Sequence, residues 1–82
     1  MSALETYTKG AYEAKGMFHI TAIRNLRMYI NTTPEDKLIE EIDKINSTDL
    51  LRTIIEAGVN ARLQLAVTRR YDEIQKRRAG VI

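Results

Sequence analysis

The chain has no cysteine and no tryptophan, a single histidine (His19) and a single proline (Pro34). The missing cysteines exclude a disulfide framework, a thiolate nucleophile and any cysteine zinc site. One histidine leaves no basis for a histidine-built metal centre. No window approaches the roughly 20 apolar residues needed to span a bilayer. Nor does the N-terminus have the basic start and apolar run of a secretory signal, which predicts a cytoplasmic chain without membrane association. On that expectation the two asparagine sequons, Asn31-Thr32-Thr33 and Asn46-Ser47-Thr48, read as helix punctuation rather than glycosylation sites.

What is present fits one small folding unit. Eighty-two residues make a single domain. With 44% hydrophobic against 29% charged residues, the chain has enough apolar surface to fold rather than remain disordered. The net charge of +2 is uneven: residues 1–30 carry +2, residues 31–60 carry −4 and residues 61–82 carry +4. An acidic middle before a basic end predicts either complementary packing between helices or a basic face kept for an acidic partner.

Pro34, preceded by Thr33 and followed by Glu35 and Asp36, marks a helix start, with a hydroxyl to cap and acids near the positive dipole end. That helix is expected over about 34–45, burying Leu38, Ile42 and Ile45 with Ile39 on the flank. Lys37, Glu40, Glu41 and Lys44 face away. Asn46-Ser47-Thr48-Asp49 opens a short helix over 48–57 with Leu50, Leu51, Ile54 and Ile55, closed by Gly58. Asn60 caps a last helix over about 60–78, in which Leu63, Ala66, Val67, Tyr71 and Ile74 share an arc of about 140°. Earlier, Gly10 and Gly16 each offer a break. Residues 3–15 read as a less regular helical segment, and 1–16 as either a flexible stretch or a separate helix, before a helix over 17–30. In that helix Phe18, Ile20, Ala22, Ile23, Leu26, Tyr29 and Ile30 cover about 200°, which marks it as the central helix. Nothing alternates with a period of two. The fold is expected to be an all-α bundle of four or five short helices, with connections of two to four residues that make consecutive helices neighbours.

Glu40-Glu41-Ile42-Asp43-Lys44 and Asp72-Glu73-Ile74-Gln75-Lys76 align at a spacing of 32 residues, as do Thr21 with Thr53 and Ile23 with Ile55. Residues 47–74, a short helix, a glycine turn and a longer helix with alanine-valine packing and a basic end, resemble a HEAT-type helical hairpin. The resemblance covers about a third of the chain and implies a scaffold that binds proteins. The alternative is an unrelated four-helix domain with ordinary amphipathic helices.

The same helix–Ala57-Gly58-Val59–helix has the shape of a helix-turn-helix turn. That pattern asks for alanine where Ile54 stands and a buried aliphatic where Gln64 stands. In the last helix Arg62, Arg69 and Lys76 recur every seven residues in a line about 40° wide, with Arg77 and Arg78 extending the charge. Leu65 sits beside them as an apolar contact, whereas Arg70 falls inside the apolar arc and must either snorkel to solvent or pair with an acid such as one from residues 34–49. His19 belongs to the core or its edge. No nucleophile–base pair, phosphate loop or metal-ligand spacing occurs, so neither an enzyme, a cofactor nor a small-molecule substrate is expected. The function read from the sequence is an adaptor or regulator that binds a protein partner, or itself as a homodimer, through Arg62, Leu65, Arg69, Lys76 and Arg77. The alternative is nucleic-acid binding through the basic helix, either helix-turn-helix-like or by phosphate contacts.

Overall fold

The computed structural model describes residues 2–80, which form five helices: α1 (Ala3–Glu13), α2 (Met17–Thr32), α3 (Glu35–Ile42), α4 (Thr48–Ala57) and α5 (Ala61–Gly80). Among the described residues there is no strand, and no helix is long and apolar enough to cross a membrane.

Local chemistry accounts for most boundaries. Ser2 starts α1 by accepting from the Glu5 amide at 3.1 Å, which makes the first segment a regular helix. Gly10 does not interrupt it. The break falls at Gly16, whose φ of 62° is a left-handed conformation that glycine adopts without strain. Ser47 caps α4 through the Leu50 amide at 3.4 Å, and Asn60 caps α5 through the Leu63 amide at 2.9 Å. Gly58, at φ 96°, closes α4 as the sequence predicts. Thr33 does not cap α3. Its hydroxyl turns back to donate to the Tyr29 carbonyl in the last turns of α2, at 2.6 Å, and α3 begins after Pro34 without a side-chain cap. The helix also ends three residues earlier than its apolar spacing implies, although Ile45 still reaches the core from the 43–47 connection.

The core is one cluster to which every helix contributes, including Leu4 and Ala11 from α1, Leu26 and Ile30 from α2, Leu38 and Ile42 from α3, Leu51 and Ile54 from α4, and Leu63, Val67 and Ile74 from α5. Each fully buried leucine or isoleucine contributes about 1.5–3 kcal/mol. The central position belongs to α4 rather than α2. It packs on α1, α2 and α5 and buries Leu50, Leu51, Thr53, Ile54 and Ala57, with the Thr53 hydroxyl satisfied by the Asp49 carbonyl at 2.9 Å. The wide apolar arc of α2 is only half used. Leu26 and Ile30 are buried and Ala22, Ile23 and Tyr29 pack against the core edge, but Phe18 is 80% and Ile20 61% exposed. In the first turn of α2 it is His19 that faces α1 and α4; Phe18 and Ile20 stand about 100° to either side of it, at the two edges of the arc, and stay largely in solvent.

Packing follows chain order only in part. The pairs α1–α2 and α4–α5 are neighbours across short connections, but α2 packs chiefly on α1 and α4, and α3 on α5 and α1. Thr33 and Pro34 therefore redirect the chain instead of folding α3 back along α2. The repeat implied by the 32-residue spacing would need α2 and α3 to pair as α4 and α5 do, and they are not so arranged.

Three polar links tie the bundle together. The Tyr29 hydroxyl donates to both carboxylate oxygens of Glu41 at 3.0–3.1 Å, which pulls Glu41 into the interior although its position on the α3 wheel predicts exposure. Burial first, then this carboxylate, pushes the Tyr29 phenol above its ordinary value. The Tyr29 ring stacks on Tyr7 of α1 with centroids 5.1 Å apart. On the other side of α1, Tyr12 donates to Asp49 at the start of α4, at 3.2 Å.

Candidate interaction surface

The outer side of α5 is built by its own periodicity. Leu63, Val67, Arg70 and Ile74 point inward, against α3 and α4, the only helices on which α5 packs substantially. Leu65, Arg69 and Lys76 then fall on the opposite side, and all three are exposed, Leu65 at 60%. They share the face with Asp72. Arg62 lies at its edge, where Nη1 donates to Glu35 Oε2 of α3 at 3.2 Å. A pair this exposed contributes little to stability, but it anchors the start of the face to α3. Arg77 is exposed but turned about 100° from Lys76, so it does not extend the line. From Gln75 to Gly80 every residue is exposed, and Lys76, Arg77 and Arg78 surround the projecting end of the helix on different sides.

Arg70 is structural. It is 6% exposed; Nε donates to the Ile45 carbonyl at 2.8 Å, Nη2 to Asn46 Oδ1 at 2.6 Å and Nη1 to Glu73 Oε2 at 3.1 Å. Its acid thus comes from its own helix, one turn on, and not from residues 34–49. The carbonyl and amide of the 43–47 connection supply the remaining contacts. This guanidinium holds the irregular connection in place, because carbonyl groups released by the early end of α3 need donors.

His19 sits where α1, α2 and α4 meet. Its Nδ1 lies 2.8 Å from the Ala11 carbonyl and its Nε2 3.0 Å from Glu56 Oε1. Both partners can only accept, so both contacts are hydrogen bonds only when the ring carries two protons. The Glu56 carboxylate first, then the Ala11 carbonyl, raise the imidazole above its ordinary value. No sequence signal identifies Glu56 as the partner, since the two residues lie 37 apart and meet only through packing of α2 on α4. One turn before Glu56 on α4, Arg52 Nη2 donates to the Tyr71 hydroxyl at 3.0 Å, joining α4 to α5 and lowering the phenol below its ordinary value, with a further contribution from Gln75.

Gln64 is exposed, on the same helix as the basic line. Helix-turn-helix packing buries an aliphatic residue at this place, so the α4–α5 pair has the turn of that motif without its internal packing. Among the described residues no group of three histidine, cysteine, aspartate or glutamate side chains is placed to hold a metal ion. A hollow of about 530 Å³ opens between Arg27, Asn31, Glu35, Leu38, Asn60 and Leu63. No protein-family model, curated protein or solved structure matches the chain.

Proposed function

We propose that the chain is a small non-enzymatic interaction module of the cytoplasm, acting as an adaptor or regulator that docks a protein partner on the outer face of α5. The observation that carries this reading is Leu65: a large apolar side chain held in the open on a helix, one turn before Arg69 on the face that Lys76 continues. Such a face combines an apolar anchor with charges that steer an acidic partner and fix its register. The projecting turn from Gln75 to Gly80 lengthens the surface beyond the core.

A photo-crosslinking residue at position 65, read in cells by mass spectrometry, tests this. A discrete protein adduct that disappears when Arg69 and Lys76 are changed to glutamine supports the reading. A crosslink to a second copy of the chain assigns the face to self-association, and none at all removes α5 as the docking surface.

Nucleic-acid binding is the second reading, favoured by the cluster of Lys76, Arg77 and Arg78 around the free end of α5. Asp72 on the same face and the exposed Gln64 count against it. Titration of a random DNA duplex and an unstructured RNA at two salt concentrations separates the readings. Affinity that falls steeply with salt and is lost on neutralising Lys76–Arg78 selects nucleic acid.

A further inference from the structure

The outward strip of α2 has a different chemistry from the outer face of α5. At about 100° per residue, Arg27, Ile20, Arg24, Met17 and Met28 fall in that order within about 100° of arc, which starts about 60° from the buried Ile30, where Arg27 Nε donates to the Ala57 carbonyl of α4 at 2.7 Å, and runs outward to Met28. All five are exposed, Met17 at 82%. The helix contains no acidic residue from Met17 to Thr32. Beside the strip, His19, Ile20, Ile23, Arg24, Arg27 and Glu56 enclose a recess of about 240 Å³ between α2 and α4. It has two isoleucines in its wall and two guanidinium groups at its rim. Met17 and Ile20, exposed neighbours one turn apart, stand next to this recess, with Met28 farther along the strip beyond Arg24, and exposed apolar side chains so placed mark an interface.

The charge and shape select the occupant. A second copy placed face to face would bring four guanidinium groups, Arg24 and Arg27 of each chain, into one contact with no acidic residue on either α2 to pair them. The acidic helix of a second copy, α3, offers Asp36, Glu40 and Asp43 on its surface, but its Leu38 and Ile42 are already spent in its own core. It supplies charge without an apolar stripe. A walled recess accepts one branched side chain, which a lipid surface does not present. We propose that the α2 strip docks an acidic amphipathic helix of another protein, which seats an apolar side chain in the recess beside Ile20 and places carboxylates on Arg24 and Arg27. This site is separate from the α5 face and does not depend on it.

The test uses the full chain and a synthetic amphipathic helix of leucine and glutamate, titrated by fluorescence anisotropy at low salt. The expected result is saturable binding that falls about tenfold or more in Ile20→Ser and in Arg24→Glu, the loss typical of an interface anchor. Binding should be unchanged in Leu65→Ser and absent for a helix in which lysine replaces glutamate. Both α2 positions are exposed, so thermal melts matching the parent keep the variants interpretable. No binding of the acidic helix, or binding indifferent to both substitutions, overturns the proposal. So does retention on phosphatidylglycerol vesicles that Ile20→Ser abolishes while the peptide fails to bind, since the strip would then be a membrane contact. A dimer seen by sedimentation that Ile20→Ser dissociates, again without peptide binding, assigns the strip to self-association and overturns it equally.

Discussion

The helices α2 and α5 invert each other. In α2 a phenylalanine and a methionine stand in solvent, whereas in α5 an arginine is buried almost completely. In the first turn of α2 only His19 faces α1 and α4; Phe18 and Ile20, about 100° to either side of it, stay largely in solvent. Arg70 of α5 lies opposite an irregular connection rich in free carbonyl oxygen, and its fork of donors satisfies that connection better than a leucine would. Burial is decided by what lies across from a residue. Its own hydropathy sets only the cost when the opposite side does not match.

Substitutions on the two helices put that inversion to the test. The largest effects belong to positions that are apolar and buried: Leu63→Ala or Ile54→Ala should cost roughly 2–5 kcal/mol in chemical denaturation. Melts that match the parent would refute the helix faces described. Arg70→Met keeps bulk but orphans the Ile45 carbonyl and the Asn46 amide oxygen, for an expected loss of about 1–3 kcal/mol per acceptor left without water. If Arg70→Met is neutral or stabilising, the arginine is not what holds the connection.

A smaller effect should follow pH. The folded-state pKa of His19 is raised above the ordinary value of about 6.5, so its contribution is complete below that value and is lost as pH rises through the folded pKa. Unfolding midpoints should therefore fall across that window, and Glu56→Gln should flatten the slope. An unchanged slope in Glu56→Gln would show that the carboxylate does not hold the imidazolium. The least effect is expected of Phe18→Ser: within about 0.5 kcal/mol of the parent, despite the loss of a whole aromatic ring. A cost of several kcal/mol would place Phe18 in the core, as its position on the wheel suggests.

The helices themselves were legible because their ends carry local chemistry. Asn60, Ser47 and Gly58 act on amides and carbonyls within four residues, and no distant information is needed to read them. The exposure of Leu65 and the inward direction of Arg70 followed from periodicity alone. Periodicity could not say that Phe18 and Ile20 lack a covering helix, because an apolar arc records which side chains avoid water and not whether a partner reaches them. Glu41 illustrates the converse: its burial depends on a tyrosine 12 residues earlier, on a helix with which α3 makes little contact. The line through Arg62, Arg69 and Lys76 lies along one side of α5 as its spacing requires. That Arg77 turns aside from this line follows from 100° per residue, whereas the sequence withheld that Arg62 would be held by Glu35.

The packing of α1 has a kinetic consequence. Its inner side rests on α4 as well as on α2, and the links Tyr12–Asp49 and His19–Glu56 each close a loop of 37 residues. A chain emerging from the ribosome can form the α1–α2 hairpin early, but Leu4, Thr8 and Ala11 lack their full surroundings until α4 follows. Closure of that long loop, and not formation of any single helix, is then the slow event, so α1, although made before α4, is among the last helices to be finished.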